Sequence, residues 1–255
     1  MSAYYIRFVT LYIKELRRFT KIPGQTILAP AATTLLFMVI FSTAIGNSRN
    51  EYILTDFKSF LFPGLIMMTI IQNAFMNNSS SILMSKVQGN IVDLLMPPIS
   101  NFQIIVSFIL VGVTRGLTVA MAAAIFMLPF VQIEIYSFIV VLFFAVISSA
   151  ILSLIGLLTG IWADKWDQQQ GITNFIVLPL TFLSGTFYSI SRLPEFWQNF
   201  ALFNPFFYNI DGLRYAFIGQ SDSELLSGGI ILLIFNICLF FLCYLMFKEG
   251  YKLKS

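Results

Sequence analysis

Six stretches of this chain stay apolar long enough to cross a lipid bilayer: about 26–46, 60–82, 103–130, 135–162, 172–190 and 228–247. A hydrocarbon core of ~30 Å needs roughly 20 apolar residues per helix. Helices also satisfy their own backbone there, where no water can. The pattern therefore predicts an all-α, polytopic membrane protein with six transmembrane helices. The third and fourth are long enough to tilt or to project beyond the membrane. The connector between them, around Gln132 to Glu134, is short, so they form an antiparallel hairpin.

A different period precedes the first span. Tyr5, Phe8, Val9, Tyr12, Ile13, Leu16 and Phe19 recur at helical spacing, with Arg7, Lys14, Arg17, Arg18 and Lys21 mainly on the other side. Residues 1–25 read as a basic amphipathic helix lying in the cytoplasmic interface near anionic lipid. A membrane anchor and a partner site are both open for it. The alternation leaves no continuous apolar core, so a cleavable signal is not expected.

Between the last two spans the pattern is interrupted. An apolar run breaks at Ser184-Gly185, and Leu193-Pro194-Glu195-Phe196-Trp197 and Asn204-Pro205-Phe206 follow before the final run. Pro194 and Pro205 stand where a helix would start. Two short re-entrant or outer helices are expected there, with Phe196, Trp197, Phe200 and Phe203 giving the first an aromatic side. Backbone that leaves helical geometry at membrane depth is tolerated only inside protein or along a cavity, so this segment points to a transport path.

Composition agrees. Of 255 residues, 58% are hydrophobic and 11% charged, against roughly 25% charged in soluble domains; the mean hydropathy is +0.84. No internal repeat or linker divides the chain, so residues 1–255 form one domain. The absence of His removes imidazole catalysis and imidazole metal ligation. Cys238 and Cys243 are five apart and point to different helix faces. They read as small hydrophobes, and no metal site is expected. No G-x-x-x-x-G-K-[ST] occurs, so the chain carries no P-loop. With no nucleophile–base pair either, no catalytic residue is assigned and the chain is not expected to be an enzyme.

Charge sets an expected orientation. Ten Lys and Arg lie in the N-terminal segment and the even-numbered flanks (Lys86, Lys165, Lys248, Lys252, Lys254 among them), against Arg49, Lys58, Arg192 and Arg214 on the other side. By the positive-inside rule both termini are cytoplasmic.

Arg115 is the one charge inside a span, and a central Arg costs ~2.5–3.5 kcal/mol on insertion scales. Either it attracts an anionic or polar substrate group or it makes a structural contact. Asn73 and Asn77 share a face of the second span at i, i+4. They serve either helix packing or a wet path. With Phe187 and Tyr188 these residues are the substrate-path candidates. Gly112-x-x-x-Gly116 and Gly156-x-x-x-Gly160 match the close-packing motif of membrane helices. The cytoplasmic connector 84–100 reads as a short helix ended by Pro97-Pro98, with Ile91, Leu94 and Leu95 as an apolar side able to dock on a soluble partner. The polar loop Asp164–Gln170 is placed to touch the same partner.

Phe62-Pro63-Gly64-Leu65, the stretch Asn90 to Pro98 with Ile99-Ser100, and Leu183-Ser184-Gly185 through Leu193-Pro194 to Asn204-Pro205 and Gly212-Leu213-Arg214 resemble the signatures of the ABC type-2 transporter permeases. The resemblance runs over nearly the whole chain. It implies the membrane subunit of a bacterial exporter for drugs, lipids or polysaccharides in the inner membrane, paired with a second protomer as a homodimer or with a sibling. ATP and Mg would be bound by a separate ATPase subunit, contacted through Lys86, Gln88, Gly89, Asn90 and Asp93. Nucleic acid is not an expected partner. A gradient-driven secondary transporter and a non-transporting scaffold are the other readings.

Overall fold

The computed structural model describes residues 3–45 and 57–253. Gly46 at the end of the first expected span, and Arg49 and Lys254 of the charge count, lie outside the described residues. Helix α1 (Ala3–Thr20) leads through a π-helical turn, Gly24–Leu28, into α2 (Ala29–Ile45). Then come α3 (Phe57–Val87), the short α4 (Ile91–Leu95), α5 (Asn101–Met127), α6 (Phe138–Trp162), α7 (Trp166–Ile172), α8 (Leu178–Leu183), α9 (Glu195–Leu202), α10 (Pro205–Ile218) and α11 (Leu225–Glu249). No strand occurs among the described residues.

Five segments are long and apolar enough to cross a membrane: Gly24–Ala44, α3, α5, α6 and α11. The expected span over 172–190 takes a different form. The chain is helical from α7 through a π-helical turn, Thr173–Val177, into α8, and it leaves the helix at Leu183. Gly185 then takes φ +81°, a conformation that only glycine adopts without penalty. The two short helices, α9 and α10, start directly after Pro194 and at Pro205.

α3 is the centre of the bundle. Its most apolar window is 83% buried, against 17% for those of α2 and α11. It is flanked by α5 and α6, and glycine sets the spacing. A Cβ on Gly156 would stand 2.3 Å from the carbonyl oxygen of Phe75, and one on Gly112 would collide with Ser153. The two small-residue motifs thus do what their spacing predicts, at α5–α6 and α3–α6. Asn78 pins all three helices together: its Nδ2 donates to the carbonyls of Phe108 (3.0 Å) and Ser153 (2.9 Å). Cys238 is exposed and Cys243 buried, and they are not bonded.

At the end of α3 that leads into the connector, Lys86 Nζ donates to the carbonyls of Ile161 and Ala163 (2.8 and 2.7 Å) and to Asp164 (3.1 Å). It therefore caps the C-terminus of α6, where orphan carbonyls and the helix dipole favour a cation. Lys252 reaches the same carboxylate at 2.7 Å. These two lysines hold the Asp164 carboxyl below its ordinary value of 3.8. A depressed carboxylate contributes stability above the ordinary pKa, and that contribution is lost as pH falls through the lower folded value. Asp164→Asn should therefore lower the melting temperature slightly at pH 7, and the gap to the unmutated chain should narrow as pH falls below 3.8. A gap that persisted in acid would show that this ion pairing is not its origin.

Candidate functional site

One polar part of the interior lies where α1 meets α3 and α5. The buried stripe of α1 is Leu11, Glu15 and Phe19, at i, i+4 spacing, with Glu15 only 4% exposed. A carboxylate survives such burial only when paired and hydrogen-bonded. Arg18 Nε donates to Glu15 at 3.0 Å and Ser81 Oγ donates to the same oxygen at 2.6 Å. Arg18 Nη2 continues to the carbonyl and side-chain oxygens of Asn77 (2.7 and 3.1 Å). Arg115, 8% exposed, approaches that side-chain oxygen from α5, at a long 3.5 Å. Its Nε has no acceptor among the described residues. Tyr12 and Thr114 close the edge with a 3.0 Å hydroxyl contact.

The sequence places Arg115 and Asn77 here but not Glu15 and Arg18. Their signal was the i, i+3 spacing of opposite charges together with the position of Glu15 between Leu11 and Phe19. The docked face of α1 is also not the one its apolar period suggests. Of that set Phe19 is buried, whereas Tyr5 and Ile13 are exposed beside Ile6. Gln169 was likewise read as part of a polar loop, yet it is fully buried and donates to Ser79 at 3.1 Å.

Phe187 and Tyr188 belong to the other end of the bundle. Thr186 packs against Gly64, whose added Cβ would stand 2.3 Å from the Thr186 carbonyl oxygen. Gly64 is thirteen residues before Asn77, about 20 Å along the α3 axis. Phe187 lies against Phe41 (4.3 Å between centroids, ring planes tilted by 31°) and meets Phe37 and Phe182, while Tyr188 donates to the Phe182 carbonyl at 3.2 Å. Asn73 is buried and donates back to Thr69 in its own helix. Arg115 and Asn77 therefore lie in one region and Phe187 and Tyr188 in another, while Asn73 bonds back within its own helix.

The broken segment is held by polar groups. Asn204, the N-cap of α10, donates to Leu180 and to Ser184 Oγ (2.9 and 2.7 Å). Arg214, counted above as a flanking charge, is buried at 3% exposure; it donates to the Gly185 carbonyl at 2.5 Å and lies 4.0 Å over the Phe60 ring. Asp211 accepts from Asp222 N and from the backbone and hydroxyl of Ser223, and Asp222 accepts from Ser189. Outside this lattice α9 presents Phe196, Trp197, Phe200 and Phe203, all exposed.

At the opposite end the connector is open. Gln88, Gly89, Asn90 and Asp93 are exposed, and Gly89 turns the chain at φ +75°. Lys86 is committed to its internal cap. The connector's apolar side is committed too: Ile91 and Leu94 are buried in a cluster with Leu11, Ile104 and Phe108. It presents Val92 and Met96 outward at 49% and 78% exposure, with Met84 and Val87 also exposed at the end of α3. Among the described residues no group of His, Cys, Asp and Glu is placed to hold a metal ion.

Comparison with known proteins gives a consistent result. The profile described as "ABC-2 type transporter" matches residues 6–218. "Inner membrane transport permease YadH" of Escherichia coli (strain K12) is 35% identical over 255 residues, covering both chains completely. The protein of the same name in Shigella flexneri matches to the same extent.

Proposed function

This chain belongs to the ABC-2 type transporter family, and from that premise we propose that it is the permease subunit of an ATP-driven exporter in a bacterial inner membrane. Family membership makes it a multi-pass membrane permease. Export as the direction, an amphiphilic drug, lipid-linked or polysaccharide-type substrate, and a separate ATPase are our reading. The observation that carries it is a full-length match to a transport permease in a chain without a P-loop. Energy must therefore come from elsewhere, and the connector that presents Gln88, Asn90, Val92, Asp93 and Met96 supplies a docking surface for an ATPase.

In this reading α7, its π-helical turn and α8 form the remaining span, so six helices make half of a transporter and both termini face the cytoplasm. Two protomers complete it. Nucleotide-driven closure of the ATPases would move the connector. Lys86 would pass that motion to α6, and α1 would carry it to α3 and α5. The lattice around Asn204, Arg214 and Asp211 would close the outer end, with Phe187 and Tyr188 beneath it.

Mass analysis of the intact complex, mildly solubilised from its native membrane, tests this. Two permease copies with two P-loop subunits are expected. A permease that never carries an ATPase, together with flux in vesicles driven by a gradient alone, would replace this reading with a secondary transporter.

A further inference from the structure

Two guanidinium groups converge on the side-chain oxygen of Asn77 with a single carboxylate nearby. Glu15 is already engaged by Arg18 and Ser81, so one positive charge has no counter-charge among the described residues. Arg115 is more than nine-tenths buried, and among the described residues its Nε has no acceptor and its polar contact, to Asn77, is 3.5 Å long. A buried cation in that state is costly, and an oxyanion able to accept from it in a forked geometry would offset the cost. No acidic residue described here is in hydrogen-bond contact with it.

The surroundings indicate where such an anion comes from. Arg7, Lys14, Arg18 and Lys21 follow one another at intervals of seven, four and three residues, so they form a basic stripe along one flank of α1. Lys14 and Lys21 are exposed, and the Arg18 side chain is 30% exposed. Arg18 thus joins the basic surface to the buried Arg115. Tyr5, Ile6 and Ile13 are exposed apolar residues on the sides of α1 turned away from its buried stripe, with exposed Arg17 four residues beyond Ile13, so apolar and basic positions adjoin there and suit a lipid surface. A molecule that meets these adjoining basic and apolar positions has an acidic head and an apolar body.

We propose that Arg18 and Arg115, on either side of Asn77, bind the anionic, phosphate-type headgroup of an amphiphile that enters from the bilayer beside α1. This rests on the reading of the chain as a permease for amphiphiles and gives its substrate class an acidic head. The shared chemistry has two sources, a resident phospholipid or the exported amphiphile itself. Glu15 tunes the site: it competes with the headgroup for Arg18.

The test uses the permease alone in a zwitterionic detergent, so loss of an ATPase cannot affect it. Phosphatidylglycerol and phosphatidylcholine are titrated separately, and bound lipid is counted by mass analysis of the intact protein. One phosphatidylglycerol per chain is expected, displaced by salt, with no comparable phosphatidylcholine binding. Arg115→Gln should weaken it by about tenfold, the scale of one charge-assisted contact. Glu15→Gln should strengthen it, an increase that a purely structural ion pair does not produce. If phosphatidylglycerol fails but an acidic amphiphile from the native membrane accompanies the unmutated chain and not Arg115→Gln, the headgroup is the substrate's and the site stands. Should Arg115→Gln not fold, the Glu15→Gln increase and the salt-dependent phosphatidylglycerol preference decide alone. Equal binding of both lipids, unchanged in Glu15→Gln, overturns the proposal.

Discussion

Gly156→Ala is expected to destabilise the permease by about 1–3 kcal/mol, the usual range for overpacking a close contact. Helix propensity alone predicts the opposite, because Ala is favoured over Gly by roughly 1 kcal/mol inside a helix. The sign is decided by what the new methyl meets. At Gly156 that is the carbonyl oxygen and carbon of Phe75, at 2.3 and 3.1 Å. These are backbone atoms of α3, the most buried helix of the bundle, and no rotamer change can move them aside. The two helices must separate, and the bond from Asn78 to Ser153 lies in the same seam. Gly171 in α7 is the matched control, since a Cβ there meets nothing within 4 Å; Gly171→Ala should leave stability unchanged or slightly raise it. Thermal unfolding of the two purified variants checks the pair. Equal melting temperatures would mean that the α3–α6 contact is looser than the geometry gives.

The spans were legible because lipid imposes one rule on every residue that faces it. Apolar length located α2, α3, α5, α6 and α11, and proline and asparagine located the starts of α9 and α10. Period alone could not see which face of α1 docks. Its apolar residues satisfy lipid as readily as protein, so Tyr5 and Ile13 stay outside while Glu15 goes in, drawn by Arg18 and Ser81. The burial of Arg214 was hidden for a related reason. A charge in a segment of uncertain depth looks like a flank until the acceptor that holds it, the Gly185 carbonyl, is known. Arg115 and Asn77 could be chosen as candidates because polar groups at membrane depth are costly. Their partners come from α1, which is not a span, and no pattern within the spans could have named them.

The connector offers the sharpest functional test. Ile91 and Leu94 turn inward and fix α4 to the bundle, which leaves Val92 and Met96 facing out at i, i+4 beside Asp93. Exposed apolar residues on a rigid support are what a partner's groove recognises, and central apolar anchors of interfaces commonly contribute 2 kcal/mol or more. The double variant Val92→Glu, Met96→Glu should therefore weaken ATPase binding by about thirtyfold or more, which is that energy expressed as a ratio. Neither side chain is buried, so the melting temperature of the isolated permease should not change. Lys86→Gln should behave in the opposite way. It removes the cap on α6 and the link to Asp164, so it should lower the melting temperature while leaving the outward face of α4 intact. Measuring affinity and melting temperature for both variants separates docking from transmission. An ATPase that binds the Val92, Met96 variant as tightly as the unmutated chain would move the docking surface elsewhere, with the exposed residues of the α6–α7 loop next to be tried.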